Sequence, residues 1–389
     1  MDFTWHYSNE NYKILFKTTT IIMKKIYALL VLTVGFAFAQ VPPGYYAAAT
    51  GTGYVLKTQL KNIIATHTNL TYSGLWTLYP LSDKRSDGKV WDMYSSCNLV
   101  FGTVASGGNQ DNGTLGSNPC ERFNREHSFP KSWFGGSTSS DPGCDAFHVM
   151  PTDKKINGLR SNYCYGTVSA ANNTIPANYP TTCKLGVNNT PGAPAGLVVF
   201  EPADEFKGDV ARNYFYMATC YENLIASWQN LDTANGSNFL DGTNTTCYKS
   251  WALNMLYQWH LNDPISQKEI DRNNVIYYNS NGQGNRNPYI DNPQMVVAVW
   301  GANLATENYD YLATATVYPN PSNNHKISIE SPTLIDNIQL FNINGQLVVE
   351  IKKPNFENKT FSIDNIQQGF YFLKLASENQ SITKKVVVN

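Results

Sequence analysis

From about Ala313 to Asn389, the chain alternates apolar and polar residues in short runs. Turn signals such as Asn344-Gly345 and Gln368-Gly369 separate these runs. The runs are Lys326 to Ile329, Asn337 to Asn342, Gln346 to Ile351, Thr360 to Ile363, Phe370 to Leu375 and Lys384 to Val388. Alternation with a period of two predicts strands with one buried face, and about six or seven short strands with frequent turns are typical of a sandwich. We therefore predict a small all-β, Ig-like sandwich over residues 313–389.

Another apolar run, near the N-terminus, has the pattern of an export signal. Met23-Lys24-Lys25 supplies a basic start, Ile26 to Phe36 is apolar, and Ala37-Phe38-Ala39 has the small side chains that favour cleavage before Gln40. The run is too short for a permanent membrane helix. We predict a signal peptide over residues 1–39 whose true start is Met23, so that residues 1–22 are either a misassigned upstream start or a genuine extension.

Composition divides the mature chain into two parts. All seven Cys and every Trp of the mature chain precede about Asp310, and residues 313–389 contain neither. With 389 residues the chain is long enough for two or three domains, and we predict one over residues 40–312 before the sandwich. The 42% hydrophobic residues argue against global disorder. The balance of 29 Lys and Arg against 30 Asp and Glu excludes a global positive field that would gather polyanions.

The cysteines follow the cleavage site, so the chain carries them into an oxidising compartment where disulfides persist. Structural bridges are therefore the expectation, with at least one unpaired thiol because seven is odd. The spacings include no C-x-x-C pair and leave the connectivity open. The seven are Cys97, Cys120, Cys144, Cys164, Cys183, Cys220 and Cys247.

The residues with candidate chemistry are concentrated in three blocks between Cys120 and Gly166. The blocks are Asn124 to Phe134 (NREHSFPKSWF), Asp145 to Pro151 (DAFHVMP) and Ile156 to Asn162 (INGLRSN). In this order and spacing they resemble the bacterial endonuclease I family, whose catalytic core is a ββα-metal (His-Me finger) fold. The resemblance extends over most of residues 40–309 and implies an α+β fold, with the finger as the core of a larger mixed domain.

Phosphodiester hydrolysis needs a base for water and a cation for the charge that builds on the phosphoryl oxygens. His127 offers a neutral imidazole near pH 7, Glu126 a hard oxygen ligand and Asn157 an amide oxygen suited to Mg²⁺. The resemblance assigns the general base to His127 and metal ligation to Glu126 and Asn157. Mn²⁺ and Ca²⁺ are the alternative ions.

Neighbouring side chains on a strand point to opposite faces, so Glu126 and His127 can serve one site only if the strand ends or bends there. Pro130 favours a nearby end. Downstream, Thr152 is a plausible helix cap and Asp153 suits the first turn. On that helix Asp153, Asn157 and Arg160 share one face, which we expect to be turned to the metal.

Three arginines are candidates for the phosphate, because a guanidinium matches it with two parallel hydrogen bonds. They are Arg125, Arg160 and Arg212, and each could equally be a buried salt-bridge partner. The two alternatives are even for Arg212, which lies in an apolar, helix-like run from Val210 to Met217. Some relatives have two adjacent His where this chain has Phe147-His148, and a structural role is favoured for His148.

The tail carries a second resemblance. Val317-Tyr318-Pro319-Asn320-Pro321, Phe341 to Gln346 (FNINGQ), Gly369 to Leu373 (GFYFL) and Lys384 to Val388 (KKVVV) resemble the type A C-terminal sorting domain of type IX secretion. This implies passage through that machinery to the outside of the cell by way of the periplasm, with the tail usually removed or the protein held at the cell surface. The alternative is an Ig-like module that binds a ligand or glycan.

Together these features predict a secreted, monomeric endonuclease that cleaves DNA, and RNA as well, with little base preference and leaves 5′-phosphate ends, as in the family. Residues 121–160 contain six Lys and Arg against five Asp and Glu, which predicts weak, salt-dependent binding to the phosphate backbone. One alternative is a secreted nucleic-acid-binding or glycan-binding protein on an inactive nuclease fold. The other is a Ser or Cys hydrolase, which the absence of a G-x-S-x-G motif from the mature sequence disfavours.

Overall fold

The computed structural model describes residues 41–301, 304, 315–331, 335–356, 359–377 and 380–389. The predicted signal peptide and the predicted boundary between residues 312 and 313 lie outside these ranges. The chain divides after Ala302 into two compact units. The first mixes helices and short strands, and the second is all-β, which confirms the predicted α+β class.

The first unit contains eleven α-helices and five strands within its described residues, besides short 3-10 and π segments. The helices are α1 (Gly53–Ile64), α2 (Gly74–Ser82), α3 (Asp141–Cys144), α4 (Lys154–Arg160), α5 (Lys207–Cys220), α6 (Glu222–Trp228), α7 (Gly236–Phe239), α8 (Ser250–Asn262), α9 (Gln267–Tyr278), α10 (Pro288–Asp291) and α11 (Gln294–Val296). The strands are β1 (Phe123–His127), β2 (Val149–Asp153), β3 (Cys164–Tyr165), β4 (Lys184–Val187) and β5 (Val198–Glu201).

Helix α5 forms the centre of the core. Every residue from Gly208 to Cys220 is buried, as expected of a helix with neighbours on all sides, and α1, α8 and α10 pack against it. The turn after β1 is anchored here, because Trp133 lies against the rings of Tyr214 and Phe239. Burying a ring of this size stabilises the fold by about 2–3 kcal/mol, so the end of β1 is fixed against the core.

Strands β1 and β2 form an antiparallel pair that leads directly into α4. Glu126 lies opposite Met150, and His127 lies opposite Val149 at the end of β1. The prediction that the strand ends at this point is confirmed. The predicted cap is wrong by one residue, because β2 continues through Thr152 and the Asp153 side chain accepts hydrogen bonds from the first backbone amides of α4.

The second unit has seven strands within its described residues. They are β6 (Thr316–Tyr318), β7 (Ile327–Glu330), β8 (Asn337–Asn342), β9 (Leu347–Lys352), β10 (Thr360–Ile363), β11 (Gly369–Ser377) and β12 (Gln380–Val388). One antiparallel sheet has the order β10-β7-β6 and the other β12-β11-β8-β9. Their apolar faces share one core that includes Ile329, Leu340 and Leu373, which confirms the predicted sandwich.

The expectation of several disulfides is wrong. Cys97 and Cys120 form one bridge, and the five other cysteines are buried and reduced. Cys183, for example, directs its sulfur toward the backbone oxygens of Met93 and Tyr94. An oxidising compartment favours pairing but does not bring two thiols within reach of each other.

Within the described residues, no helix is long and apolar enough to cross a membrane.

Candidate active site

One face of β1 meets the first turns of α4 and carries the predicted metal ligand Glu126. Its carboxylate is 2% exposed, and its Oε1 accepts hydrogen bonds from the Tyr94 hydroxyl at 2.8 Å and from Arg160 Nη1 at 2.7 Å. Burial raises the pKa of Glu126, and the Arg160 guanidinium opposes that rise. Arg160 therefore favours the ionised carboxylate, which is the form that can bind a cation.

Asn157 lies on the same side, one helical turn before Arg160. Its Nδ2 donates to Asn124 Oδ1 at 2.7 Å, and Asn124 and Glu126 are alternate residues of β1 that share a face. This hydrogen bond fixes the amide and makes Oδ1 the atom that Asn157 can offer as a ligand. A buried carboxylate and an oriented amide oxygen on the same side of β1 form a donor set that fits Mg²⁺, which takes few protein oxygens and keeps several waters.

His127 belongs to the opposite face of β1. Its ring stacks on Tyr72, with centroids 5.8 Å apart, and lies 5.7 Å from the His148 ring. His127 Nε2 is 3.1 Å from the backbone oxygen of Gly143. Since a carbonyl oxygen only accepts, Nε2 must carry the proton, and the lone pair of the neutral ring is then on Nδ1. Burial, together with the neighbouring His148, lowers the pKa of His127 to about 3.

His148 repeats this arrangement without exposure to solvent. It is fully buried, its Nε2 donates to the Pro142 oxygen at 2.6 Å, and burial lowers its pKa to about 4. These contacts support the structural role that the sequence favoured. Pro142 and Gly143 are consecutive residues of α3, so one short segment orients both imidazoles.

The three candidate arginines occupy different surroundings. Arg125 is half-buried on the His127 face, with its guanidinium carbon 3.4 Å from the Tyr72 ring centroid and 4.5 Å from that of Trp76. It also donates from Nη1 to the Tyr72 backbone oxygen at 2.5 Å. Stacking on two rings holds this guanidinium in a fixed orientation beside His127.

Arg160 and Arg212 are fully buried in internal pairs. Arg160 donates to Glu126, to the His127 backbone oxygen at 2.7 Å and to the Ser128 backbone oxygen. Arg212 of α5 binds both carboxylate oxygens of Glu269, the residue that also completes the capping box of α9. For Arg212 this geometry favours the salt-bridge alternative.

The structure therefore brings Glu126, Asn157 and Arg160 together between β1 and α4. It places Arg125 and His127 on the other face of β1 and pairs Arg212 with α9 instead.

Several residues that shape the site were not among the predicted site residues. Tyr94 hydrogen bonds Glu126, and Tyr72 stacks on both Arg125 and His127. The Asp92 carboxylate accepts from the backbone amide of Asp153 at 3.0 Å and so ties the segment before β1 to the start of α4. The sequence held a signal for Tyr94 and Asp92, because both lie in Val90 to Ser95 (VWDMYS), within the region over which the chain resembles the family.

Both units of the chain match known protein families. Residues 52–294 match the family described as Endonuclease I, and residues 316–389 match the Secretion system C-terminal sorting domain.

Two relatives are named Extracellular ribonuclease. The one from Bacillus amyloliquefaciens is 31% identical over 261 residues, and the one from Bacillus subtilis (strain 168) is 32% identical over 263 residues. In both cases the match covers 66% of this chain and 78% of the relative. A protein named Endonuclease-1 from Buchnera aphidicola subsp. Acyrthosiphon pisum is 24% identical over 146 residues, which cover 38% of this chain and 44% of that protein. The chain belongs to the endonuclease I family and is a secreted nuclease with a C-terminal sorting domain.

Proposed function

We propose that the nuclease unit hydrolyses phosphodiester bonds of DNA and RNA with one metal ion and a histidine base, leaves 5′-phosphate ends and reads little sequence. The observation that carries this proposal is the hydrogen bond from His127 Nε2 to the Gly143 oxygen. It directs the basic Nδ1 of a neutral ring away from the protein carbonyl, and a base in that state can accept a proton from water at neutral pH.

Glu126 and Asn157 are the residues that would hold Mg²⁺. The bound ion would stabilise the negative charge that builds on the phosphoryl and leaving oxygens. Glu126 can do this only as an anion in the interior, and Arg160 and Tyr94 supply the positive charge and the hydrogen bond that favour the anion. Arg160 thus acts on the metal ligand. Burial lowers the pKa of Arg160, but Glu126 and the surrounding tyrosines together outweigh burial and raise that pKa further above its ordinary range.

Arg125 is the candidate for contact with the phosphate. It shares the His127 face of β1 and is half-buried, whereas Arg160 and Arg212 are fully buried. Its stacked guanidinium is held rigidly, so less freedom is lost when it binds an anion. We keep Arg160 and Arg212 as weaker candidates, since each would have to leave an internal carboxylate to reach a ligand.

The names of two relatives, both called Extracellular ribonuclease, support RNA as a substrate. The name Endonuclease-1 supports cleavage within a strand and does not specify the nucleic acid, so the proposal of DNA rests on the resemblance to the family. Nothing in the three blocks resembles a motif that reads base edges, so we expect contacts to phosphate and sugar. We expect the sorting domain to engage the type IX machinery and to take no part in cleavage.

Plasmid and labelled single-stranded RNA test the proposal when each is incubated with the purified chain in Mg²⁺, with and without EDTA. We expect cleavage of both that chelation abolishes, at scattered positions and with 5′-phosphate ends. His127→Ala is the control against a contaminating nuclease. Binding without cleavage under any divalent metal would favour the alternative of a binding protein on an inactive nuclease fold.

A further inference from the structure

A second group of metal-binding side chains lies away from Glu126 and Asn157. One ligand atom each from His67, Asp145 and Cys220 all fall within 4.8 Å of one another. The three come from separate parts of the chain, just after α1, just after α3 and at the last residue of α5. Asp141 of α3 adds a second carboxylate, with Oδ1 3.2 Å from His67 Nε2.

His67 is the centre of this cluster. Its Nδ1 is 4.0 Å from Cys220 Sγ, and its Nε2 is 3.9 Å from Asp145 Oδ2. The imidazole is 1% exposed. Its Nε2 and Asp141 Oδ1 are within ion-pair distance of each other, but within the described parts of the chain neither atom has a partner in hydrogen-bonding geometry. Buried polar atoms without partners are rare in native proteins, and a cation placed among them would satisfy both.

The donor set selects a class of metal. A thiolate sulfur, an imidazole nitrogen and a carboxylate oxygen are ligands of zinc and similar transition ions, whereas Mg²⁺ and Ca²⁺ take oxygen alone. In a tetrahedral zinc site the bond lengths place neighbouring ligand atoms roughly 3.5 Å apart. The Asp141 and Asp145 oxygens, at 3.2 and 3.9 Å from Nε2, bracket that value. The Cys220 sulfur is 4.0 Å from the other ring nitrogen, Nδ1, so an ion bound at Nε2 requires the Cys220 side chain or the imidazole ring to turn.

The surroundings orient the ligands. Asp145 is fully buried, and its Oδ2 accepts hydrogen bonds from the hydroxyls of Tyr216 and Tyr221, each at 2.8 Å. Such partners fix a ligating carboxylate and are part of most protein metal sites. Two carboxylates and a thiol meet one imidazole here, and a divalent cation would balance this excess of acidic groups.

A cavity gives access to the cluster. It has a volume of about 350 Å³, and Asp141 and Cys220 are both in its wall, together with Lys61 and Tyr221. An ion can therefore reach two of the four ligands from solvent, as a binding site requires.

We propose that His67, Asp145 and Cys220, with Asp141 as the fourth ligand, bind a zinc-type transition-metal ion. The ion would tie the ends of α1 and α5 to the segment from Asp141 to Asp145. That segment contains the Pro142 and Gly143 oxygens that hold His148 and His127, so the ion would stabilise the support of both imidazoles.

Co²⁺ is the probe, because cobalt bound to a thiolate absorbs in the near ultraviolet and oxygen ligands give no such band. The full chain is reduced, stripped of metal with a chelator and titrated with Co²⁺. We expect a charge-transfer band that saturates at one equivalent and that Cys220→Ala abolishes. Glu126 and Asn157 contain no sulfur, so cobalt there does not contribute to the band.

Cys183→Ala is the matched control, since Cys183 is also buried and reduced but faces only backbone oxygens in the described contacts. It should keep the band. Asp141→Asn, on a side chain that is 41% exposed, should leave the fold intact and weaken Co²⁺ binding at least about tenfold.

Absence of the band in the parent chain at saturating Co²⁺, or its survival in Cys220→Ala, would overturn the proposal. If Cys220→Ala does not fold, an unchanged Co²⁺ affinity of Asp141→Asn would overturn the proposal instead. None of these readouts depends on cleavage, so the nuclease proposal is tested separately.

Discussion

The two faces of strand β1 place neighbouring residues in opposite electrostatic surroundings. On one face Glu126 is buried against Arg160 and the Tyr94 hydroxyl, so a charge is kept in the interior by a countercharge and a donor. On the other face His127 lies among aromatic rings and beside His148, and these surroundings penalise its charged form.

The comparison shows how adjacent residues acquire different chemistry. Alternating side-chain directions send Glu126 toward α4 and His127 toward α3. One environment favours an anion that can ligate a cation, and the other favours a neutral base. Environments that separate the protonation states of two close groups are the usual basis of acid and base roles in enzymes.

The largest effect is expected on the His127 face. His127→Ala removes the proton acceptor and leaves the metal ligands in place, so single-turnover cleavage of a labelled duplex should slow by roughly 10²–10⁴-fold. Mg²⁺ dependence should stay as in the parent chain. Recovery of full activity by added Mg²⁺ would show that His127 and Glu126 have been assigned the wrong way round.

The next effect is on stability and concerns the Glu126 face. Arg160→Met leaves the Glu126 carboxylate buried without its countercharge, which should lower the free energy of unfolding by about 3–5 kcal/mol. Urea denaturation measures the loss, and the double variant Arg160→Met with Glu126→Gln should regain part of it.

Arg212→Met is the matched control, because it breaks a buried pair with Glu269 outside the β1–α4 face. A similar loss of stability is expected, with activity per folded molecule unchanged. Lost activity in a folded Arg212→Met protein would instead support a role for Arg212 in binding the phosphate.

A smaller effect is expected on metal affinity. Glu126→Gln removes a charge from the proposed metal site, so the Mg²⁺ concentration for half-maximal rate should rise about tenfold or more. Asn157→Ala should raise it less, because a neutral amide contributes less Coulomb attraction than a carboxylate. Titration of the cleavage rate with Mg²⁺ measures both. If neither variant changed the metal dependence, the site would not lie between β1 and α4.

These faces were only partly predictable from the sequence. Local signals located the end of β1 and the helix that carries Asn157, because Pro130 and the capping residues act on their own neighbours. The helix start was misplaced by one residue because pairing with β1 extends β2 through Asp153. A tertiary contact here overrode a local preference.

Partners that are distant in the chain could not be predicted. Arg212 pairs with Glu269, 57 residues away, and no sequence spacing predicts that contact. The cysteine pairing was unpredictable for the same reason. An oxidising compartment favours disulfides, but two cysteines pair only where the fold brings them together. Within the described residues this happens only for Cys97 and Cys120. The strands of the second unit were easier to predict, because the alternation of apolar and polar residues is a local pattern along each strand. The two sheets are built from the strands that this pattern predicts.

The smallest effect is expected from mild acid. A histidine with an ordinary pKa near 6.5 would lose most of its neutral form between pH 8 and pH 6, which predicts a roughly fourfold fall in rate. Since the pKa of His127 is lowered to about 3, the rate should instead change by less than about twofold over that range.

Acid should destabilise the fold before it protonates the site. Unfolded His127 binds a proton below about pH 6.5, whereas the folded residue does so only near pH 3, so the stability present above pH 6.5 is lost progressively as pH falls toward 3. His148, with a pKa of about 4, acts in the same direction. Cleavage rates and circular dichroism measured together from pH 8 to pH 4 separate the two effects. A rate that falls with an apparent pKa near 6.5 while the chain stays folded would mean that His127 titrates like an exposed histidine, and the contrast between the faces of β1 would not hold.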